Sequence, residues 1–172
     1  MTNQTEVRSD ALNRELLRKA FGLALKSPDT RTQNGCFVAE LDGSEALYDL
    51  GSCNDLVSGI EATPERVTSP LKDIYVEHAE RNLIYRAARE GVLLDGVLLV
   101  ATWKPCVACA RAIVQAGIAE LLIPQATYPE HWLEEISAAA LLLREAGVLV
   151  TEVRGVLGET QPIRRMGEIF LP

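Results

Sequence analysis

At 172 residues the chain is long enough to bury one sizeable core, and it is read as a single domain over 1–172 with a tail from about 155. Hydrophobic residues make up 48% and charged residues 24%, an ordinary globular balance, and no apolar run approaches the length needed to cross a bilayer. The formal net charge of −7 opposes binding to a polyphosphate backbone, so a small substrate is expected and a long nucleic acid is not. The polar stretch 1–10 lacks an apolar signal core, which makes a cytoplasmic address the expectation.

The spacing of Leu12, Leu16, Ala20, Leu23 and Ala24 predicts an amphipathic helix over 11–26 with Asp10 as its N-cap. Ser27-Pro28-Asp29 breaks it, and a polar loop runs to Asn34. Strands are predicted over 35–41 and 46–53, joined through the Asp42-Gly43 turn signal into a hairpin. Residues 54–77 hold Gly59, Pro64 and Pro70 and have no regular period, so they are read as a wall or rim of a functional site.

From residue 78 the pattern alternates. A helix is expected over 78–90, stopped by Gly91, with Ala79, Leu83, Ile84, Ala87 and Ala88 buried and Arg81, Arg86, Arg89 and Glu90 solvated. Next come a continuous apolar strand over 96–102, a helix over 107–115 closed by Gly117, a strand over 120–124, a helix over 131–146 ended by Gly147, and a strand over 148–153. Alternating strands and helices imply parallel pairing, and the fold class is α/β, a three-layer α/β/α sandwich on a five-stranded mixed sheet. The tail 155–172 shows no period and is expected to pack over the domain or against a neighbouring subunit.

Two short segments carry the chemistry. His78-Ala79-Glu80 and Pro105-Cys106-Val107-Ala108-Cys109 offer one imidazole, two thiols and a carboxylate. Zn²⁺ prefers nitrogen and sulfur, and three protein ligands leave a fourth position for water. Both segments open helices, whose N-terminal partial charge favours thiolate at Cys106 and Cys109, and Pro105 suits a helix start. Glu80 is free to handle the protons of a water. Against this stand a structural zinc site and a redox Cys-x-x-Cys pair. The first wants four ligands, and His131, the only other histidine, lies outside the motif; the second has no use for His-Ala-Glu upstream. The remaining Cys36 and Cys53 are read as small buried apolar residues rather than a disulfide.

The H-x-E…P-C-x-x-C arrangement resembles the signature of zinc-dependent nucleobase deaminases. The wider sequence is similar to the deoxycytidylate (dCMP) deaminase branch of the cytidine deaminase-like superfamily. His78-Ala79-Glu80-Arg81-Asn82, Thr102, Pro105 to Arg111, Ile113 to Ile118 and Glu145-Ala146-Gly147-Val148 carry the likeness, with Ser27-Pro28-Asp29, Thr32 to Gly35 and Ser52-Cys53-Asn54 upstream. The resemblance covers about residues 11–153 and implies hydrolytic deamination of a cytosine-type nucleotide, dCMP to dUMP and ammonia, with Zn²⁺ as cofactor. It implies His78, Cys106 and Cys109 as zinc ligands and Glu80 as proton shuttle. It also implies Asn54 on the sugar 3′-hydroxyl, the backbone around Ala79 on the pyrimidine edge, and Tyr128 closing on the sugar-phosphate. Arg31 is a candidate for the phosphate, or else a solvated loop arginine. Trp103 either walls the pocket by stacking or simply packs. An assembly of identical subunits is the resemblance's further implication.

The chain departs from that branch at Asn34-Gly35-Cys36, where the family has Val-Gly-Ala, and at Ser52-Cys53-Asn54-Asp55, where it has Gly-Tyr-Asn-Gly. These changes touch the sugar and phosphate side. Rival readings are a deaminase of a nucleoside, free base or modified pyrimidine, a tRNA adenosine deaminase, and a catalytically silent zinc-binding regulatory subunit. Ala110-Arg111-Ala112 after the cysteines speaks against the tRNA branch, and Glu80 against the silent protein.

Overall fold

The computed structural model describes residues 8–44 and 50–172. Ser9, not Asp10, caps the first helix: its hydroxyl accepts from the Leu12 amide at 3.2 Å, and helix α1 runs Asp10–Ala24. The strand β1 (Gly35–Ala39) follows, then β2 (Gly51–Cys53), β3 (Asp55–Leu56), a 3₁₀ turn at Pro64–Val67, the short α2 (Lys72–Tyr75) and β4 (Val76–Glu77). The second half contains α3 (Ala79–Glu90), β5 (Leu98–Ala101), α4 (Val107–Gln115), β6 (Glu120–Pro124), a 3₁₀ turn at Glu130–Trp132, α5 (Leu133–Glu145) and β7 (Leu149–Val153). It ends in β8 (Ile163–Arg165) and β9 (Glu168–Phe170).

The central sheet has the order β2-β1-β5-β6-β7. β1 pairs antiparallel with both β2 and β5, while β5, β6 and β7 run parallel, so the sheet is mixed as expected. The expected hairpin is present as β1–β2; residues 46–49 of its expected second strand lie outside the described residues. Alternation along β1 divides the core in two. Cys36 and Val38 join Leu83, Ile113 and Leu143 beneath α3, α4 and α5, whereas Phe37 and Ala39 join Leu17, Phe21 and Ile163 beneath α1 and the β8–β9 hairpin. Helices therefore cover both faces.

Each long helix of the second half stops where the sequence places glycine. Gly91 has φ 71°, Gly117 φ 76° and Gly147 φ 80°, a left-handed backbone that ends a helix at low steric cost. Gly35 is needed for a different reason. A Cβ there would lie 2.4 Å from the Ala24 nitrogen and 2.5 Å from the Ala20 oxygen, so α1 can rest on the start of β1 only because the side chain is missing. Cys36 and Cys53 are buried free thiols, and burial is the main influence raising both above their usual pKa, Cys53 to about 11.

Two expectations need correction. Residues 54–77 contain the small β3–β4 ladder, with Asp55 opposite Glu77 and Leu56 opposite Val76. Ala88 is exposed, because it falls beside the Ala79–Leu83–Ala87 stripe rather than on it. The tail packs over the domain, one of its two expected placements, and does so as a hairpin held by Ile163 in the α1-side core. Among the described residues no helix is long and apolar enough to cross a membrane.

Candidate active site

The site lies beyond the carboxyl ends of β5 and β6, where parallel strands hand the chain to helices. β4 delivers His78 as the N-cap of α3, with extended backbone at φ −68° and ψ 149°. β5 delivers Cys106 as the N-cap of α4, with Cys109 one turn further on. Pro105 therefore precedes the cap instead of occupying the first helical position, and its side chain is buried.

His78 Nδ1 stands 3.7 Å from Cys106 Sγ and 3.6 Å from Cys109 Sγ. All three ligand atoms lie within 4.8 Å of one another. A tetrahedral zinc with bonds of about 2.0–2.1 Å to nitrogen and about 2.3 Å to sulfur needs a nitrogen–sulfur separation of about 3.6 Å. Both nitrogen–sulfur separations match that ion, and the residues present fit it. Cys106 is poised as thiolate. A hydrogen bond from Cys109 outweighs its burial and lowers its pKa to about 3, with further help from His78 and the Cys109 amide. The shared proton raises Cys109 correspondingly, and the hydrogen bond with Cys106 raises His78.

Glu80 is buried at 5% exposure, and its Oε2 receives the Cys109 thiol at 3.6 Å. Burial is the chief reason its pKa is raised. The carboxyl group thus stands beside the ligand set, in the same cavity, without belonging to it.

Arg81 is the residue the sequence reading placed wrongly. Helical periodicity assigned it to solvent, but its side chain is only 18% exposed. Nε donates to Glu77 Oε1 at 2.8 Å, Nη2 pairs with the same oxygen, and Nη1 points at Cys109 Sγ (3.3 Å) and Cys106 Sγ (3.5 Å). Burial opposes its charge, yet the Glu77 bond and the thiolates raise its pKa above the usual arginine value. Donors aimed at ligand sulfurs orient them and offset their charge. Arg81→Gln is expected to weaken zinc binding by about 10–100-fold with the fold retained, measured by competition against a chromophoric chelator. Zinc held as tightly as in the parent would reduce those contacts to packing.

The cavity above this cluster has a volume of about 450 Å³. Asn54, Trp103, Tyr128 and Arg31 all line it with His78, Glu80 and Cys106, so the structure gathers all but two of the expected site residues around one space. Cys109, one of the two, sits beneath, fully buried. The other, Ala79, is 1% exposed and its amide donates to Asn54 Oδ1 at 3.0 Å, which leaves the neighbouring backbone, and not that N–H, for a pyrimidine edge. Asn54 also donates to Thr32 O at 2.9 Å, which ties the start of α3 to the first loop and leaves one amide hydrogen for a ligand.

Trp103 both packs and lines. It is 5% exposed, stacks on Tyr128 at 5.7 Å with 15° between planes, and meets Trp132 at 5.4 Å. Trp103 Nε1 and the Tyr128 hydroxyl are buried without a hydrogen-bond partner among the described residues, and burial lifts the phenol to about 12, so it stays neutral. Lys72, Lys104, Trp132 and Glu135 are lining residues that sequence reasoning missed. Lys72 pairs with Asp29 at 3.4 Å and Asp73 at 2.7 Å, and Lys104 with Glu152 at 2.7 Å. Nothing in the local pattern around these residues marks them; they reach the site through tertiary packing.

A sheet of this order, with a His–Cys–Cys set on two helix N-termini and a buried carboxylate beside it, defines a zinc deaminase site. The sequence matches the family described as "Cytidine and deoxycytidylate deaminase zinc-binding region" over residues 11–124, and the chain belongs to that family. An uncharacterized deaminase of Aliivibrio fischeri is 36% identical over 127 residues, spanning 73% of this chain and 82% of that one. The deoxycytidylate deaminase of Homo sapiens is 31% identical over 135 residues, 75% of this chain and 72% of its own. Among solved structures, the dCMP deaminase of cyanophage S-TIM5 superposes with a TM-score of 0.64 at 23% identity, covering 81% of this chain and 95% of that one, which shows a shared fold. The family binds zinc in this region, and His78, Cys106 and Cys109 are the residues here that fit it.

Proposed function

We propose that the protein deaminates a cytosine-type nucleotide, converting dCMP and water to dUMP and ammonia. The observation that carries this reading is Glu80 standing unligated and buried beside a three-ligand metal set, in a cavity lined by aromatic rings and by charges of both signs. The human relative's name supplies the substrate.

Zinc, when bound, supplies the Lewis acidity that makes water a nucleophile at neutral pH. His78, Cys106 and Cys109 hold the ion, and Arg81 fixes the two sulfurs. The Glu80 carboxylate takes a proton as water adds to the amine-bearing ring carbon, and passes one to the adjacent ring nitrogen. It then takes the remaining proton from the new hydroxyl and hands it to the departing amine; the carbon–nitrogen bond breaks, ammonia leaves, and a carbonyl remains. The Trp103–Tyr128 stack forms an aromatic wall for the ring, and Asn54 offers its remaining amide hydrogen to the sugar. Arg31 is assigned to the phosphate for a reason of charge. Of the cations lining the cavity, Lys72, Arg81 and Lys104 each pair with a carboxylate, whereas Arg31 is exposed and makes no ion pair among the described residues.

A charge-assisted hydrogen bond contributes about 1.5–3 kcal/mol, so each one to the phosphate is worth about tenfold or more in kcat/KM. The experiment compares kcat/KM for dCMP and deoxycytidine at matched salt, then repeats it with Arg31→Ala. A strong preference for dCMP that shrinks about tenfold or more in the variant is the expected result. Equal values for both substrates would move the assignment to a nucleoside or modified base. A preference untouched by Arg31→Ala would keep dCMP and remove Arg31 from the site.

A further inference from the structure

The walls of the cavity are held from behind by a part of the chain that the reaction does not use. β8 and β9 join through Met166 and Gly167, both at positive φ (57° and 89°), the pattern of a tight two-residue hairpin turn. The hairpin backbone is bonded to the first loop at several points. The Gln33 amide donates to Arg164 O at 2.8 Å, the Arg164 amide to Gln33 Oε1 at 2.9 Å, and the Gly167 amide to Arg31 O at 2.8 Å. The Met166 amide donates to Thr32 Oγ1 at 3.2 Å.

From the same hairpin one side chain turns inward. Arg165 is 9% exposed, its guanidinium carbon 4.6 Å from the Trp103 ring centroid and 4.2 Å from that of Phe170. Nη2 donates to Thr102 O at 3.0 Å, and Nε has no partner among the described residues. Among the described residues no carboxylate pairs with it. Burying a cation without a counter-ion is unfavourable, and two aromatic faces are the compensation on offer. Burial lowers its pKa to about 10, which leaves it charged at neutral pH. A methionine or leucine would anchor the tail at less expense, so the planar cation calls for a use that an apolar anchor lacks.

We propose that Arg165 is a positioning residue for the deaminase site: a planar cationic wedge that fixes the Trp103 ring and, through the Trp103–Tyr128 stack, the wall against which the substrate lies. Only the guanidinium can face two rings and bond the Thr102 carbonyl at once. Arg165 itself is absent from the cavity lining, so it acts through Trp103 and not on the substrate directly. The clamp lies at 163–170, beyond the family match that ends at residue 124.

The proposal rests on the nucleotide reading of the cavity, but its first readout does not. In zinc-loaded protein without substrate, the indole ¹H–¹⁵N resonance of Trp103 is followed, identified by difference from a Trp132→Phe sample. Arg165→Met is expected to shift and broaden that resonance while zinc content stays unchanged. With dCMP, KM should rise by about tenfold and kcat change by less than about threefold, the size of one desolvated cation–π contact acting on binding. Arg165→Lys should recover only part of the loss, because an ammonium cannot face both rings. Phe170→Leu, which removes one ring and leaves the wedge, should give the same spectral change at smaller size and carries the test if Arg165→Met does not fold. A Trp103 resonance unmoved in the folded variants, a fall in kcat with KM unchanged, or full rescue by lysine would overturn the proposal. If the parent protein turns over no dCMP, the nucleotide reading fails, while the resonance still decides whether Arg165 holds Trp103.

Discussion

Glu80→Gln should bind a full complement of zinc, keep the parent's thermal stability closely, and lose nearly all turnover. The reason lies in what the side chain touches. Glu80 is outside the ligand set, so exchanging its carboxylate for an amide of the same shape leaves the His78, Cys106 and Cys109 atoms where they are. It removes the proton acceptor. General acid–base catalysis contributes about 10²–10⁴-fold, and one carboxylate serving several transfers sets that range as a minimum. Zinc content by elemental analysis, read alongside kcat on dCMP, checks both halves. Near-normal turnover with zinc bound would sink the proposed proton route; loss of zinc would mean that Glu80 supports the metal.

Cys106→Ser should act on the metal instead. Serine is a good N-cap, so helix α4 should survive the exchange and the change isolates the lost thiolate. Substituting groups that merely orient a ligand costs about 10–100-fold in metal affinity, and removing a ligand should exceed about 100-fold. Because the metal binds the folded form, the variant should also lose the stabilisation that zinc confers. The decisive comparison is of melting temperatures with and without a chelator. Parent and variant should melt together when both are metal-free and separate when zinc is added. A variant that carried one zinc per chain through the chelator would remove Cys106 from the ligand set.

The metal cluster was legible because its spacing is local. His78 and Glu80 share one helix start and Cys106 and Cys109 another, so i,i+2 and i,i+3 distances suffice to bring them together once two helices abut. The helix ends were legible for a similar reason, since Gly91, Gly117 and Gly147 mark left-handed positions directly. Arg81 was not, because periodicity sorts residues by face and a charged residue on a helix's first turn reads as solvated. Only the distant Cys106 and Cys109 reveal why it turns inward. The β8–β9 hairpin escaped because three-residue strands are too short to show an alternating period. The stack of Trp103 on Tyr128 beside Trp132 joins the segment after β5 to the segment after β6, and no single window contains it.

That construction divides the site into two parts with different freedom to change. The reacting groups stand on the first turns of two packed helices, where a shift of one atom is felt by the whole core. The surroundings of the substrate come from separate stretches, at Arg31, at Lys72 in a segment of small elements, at Trp103–Lys104 and at Tyr128 to Trp132. Loops carried by a rigid scaffold tolerate replacement far better than the scaffold does. Substrate preference can therefore drift, in nature or in a directed library, while the hydrolytic step is inherited intact. Libraries for altered base or sugar selectivity belong in those four stretches, with positions 78–83 and 105–110 left alone.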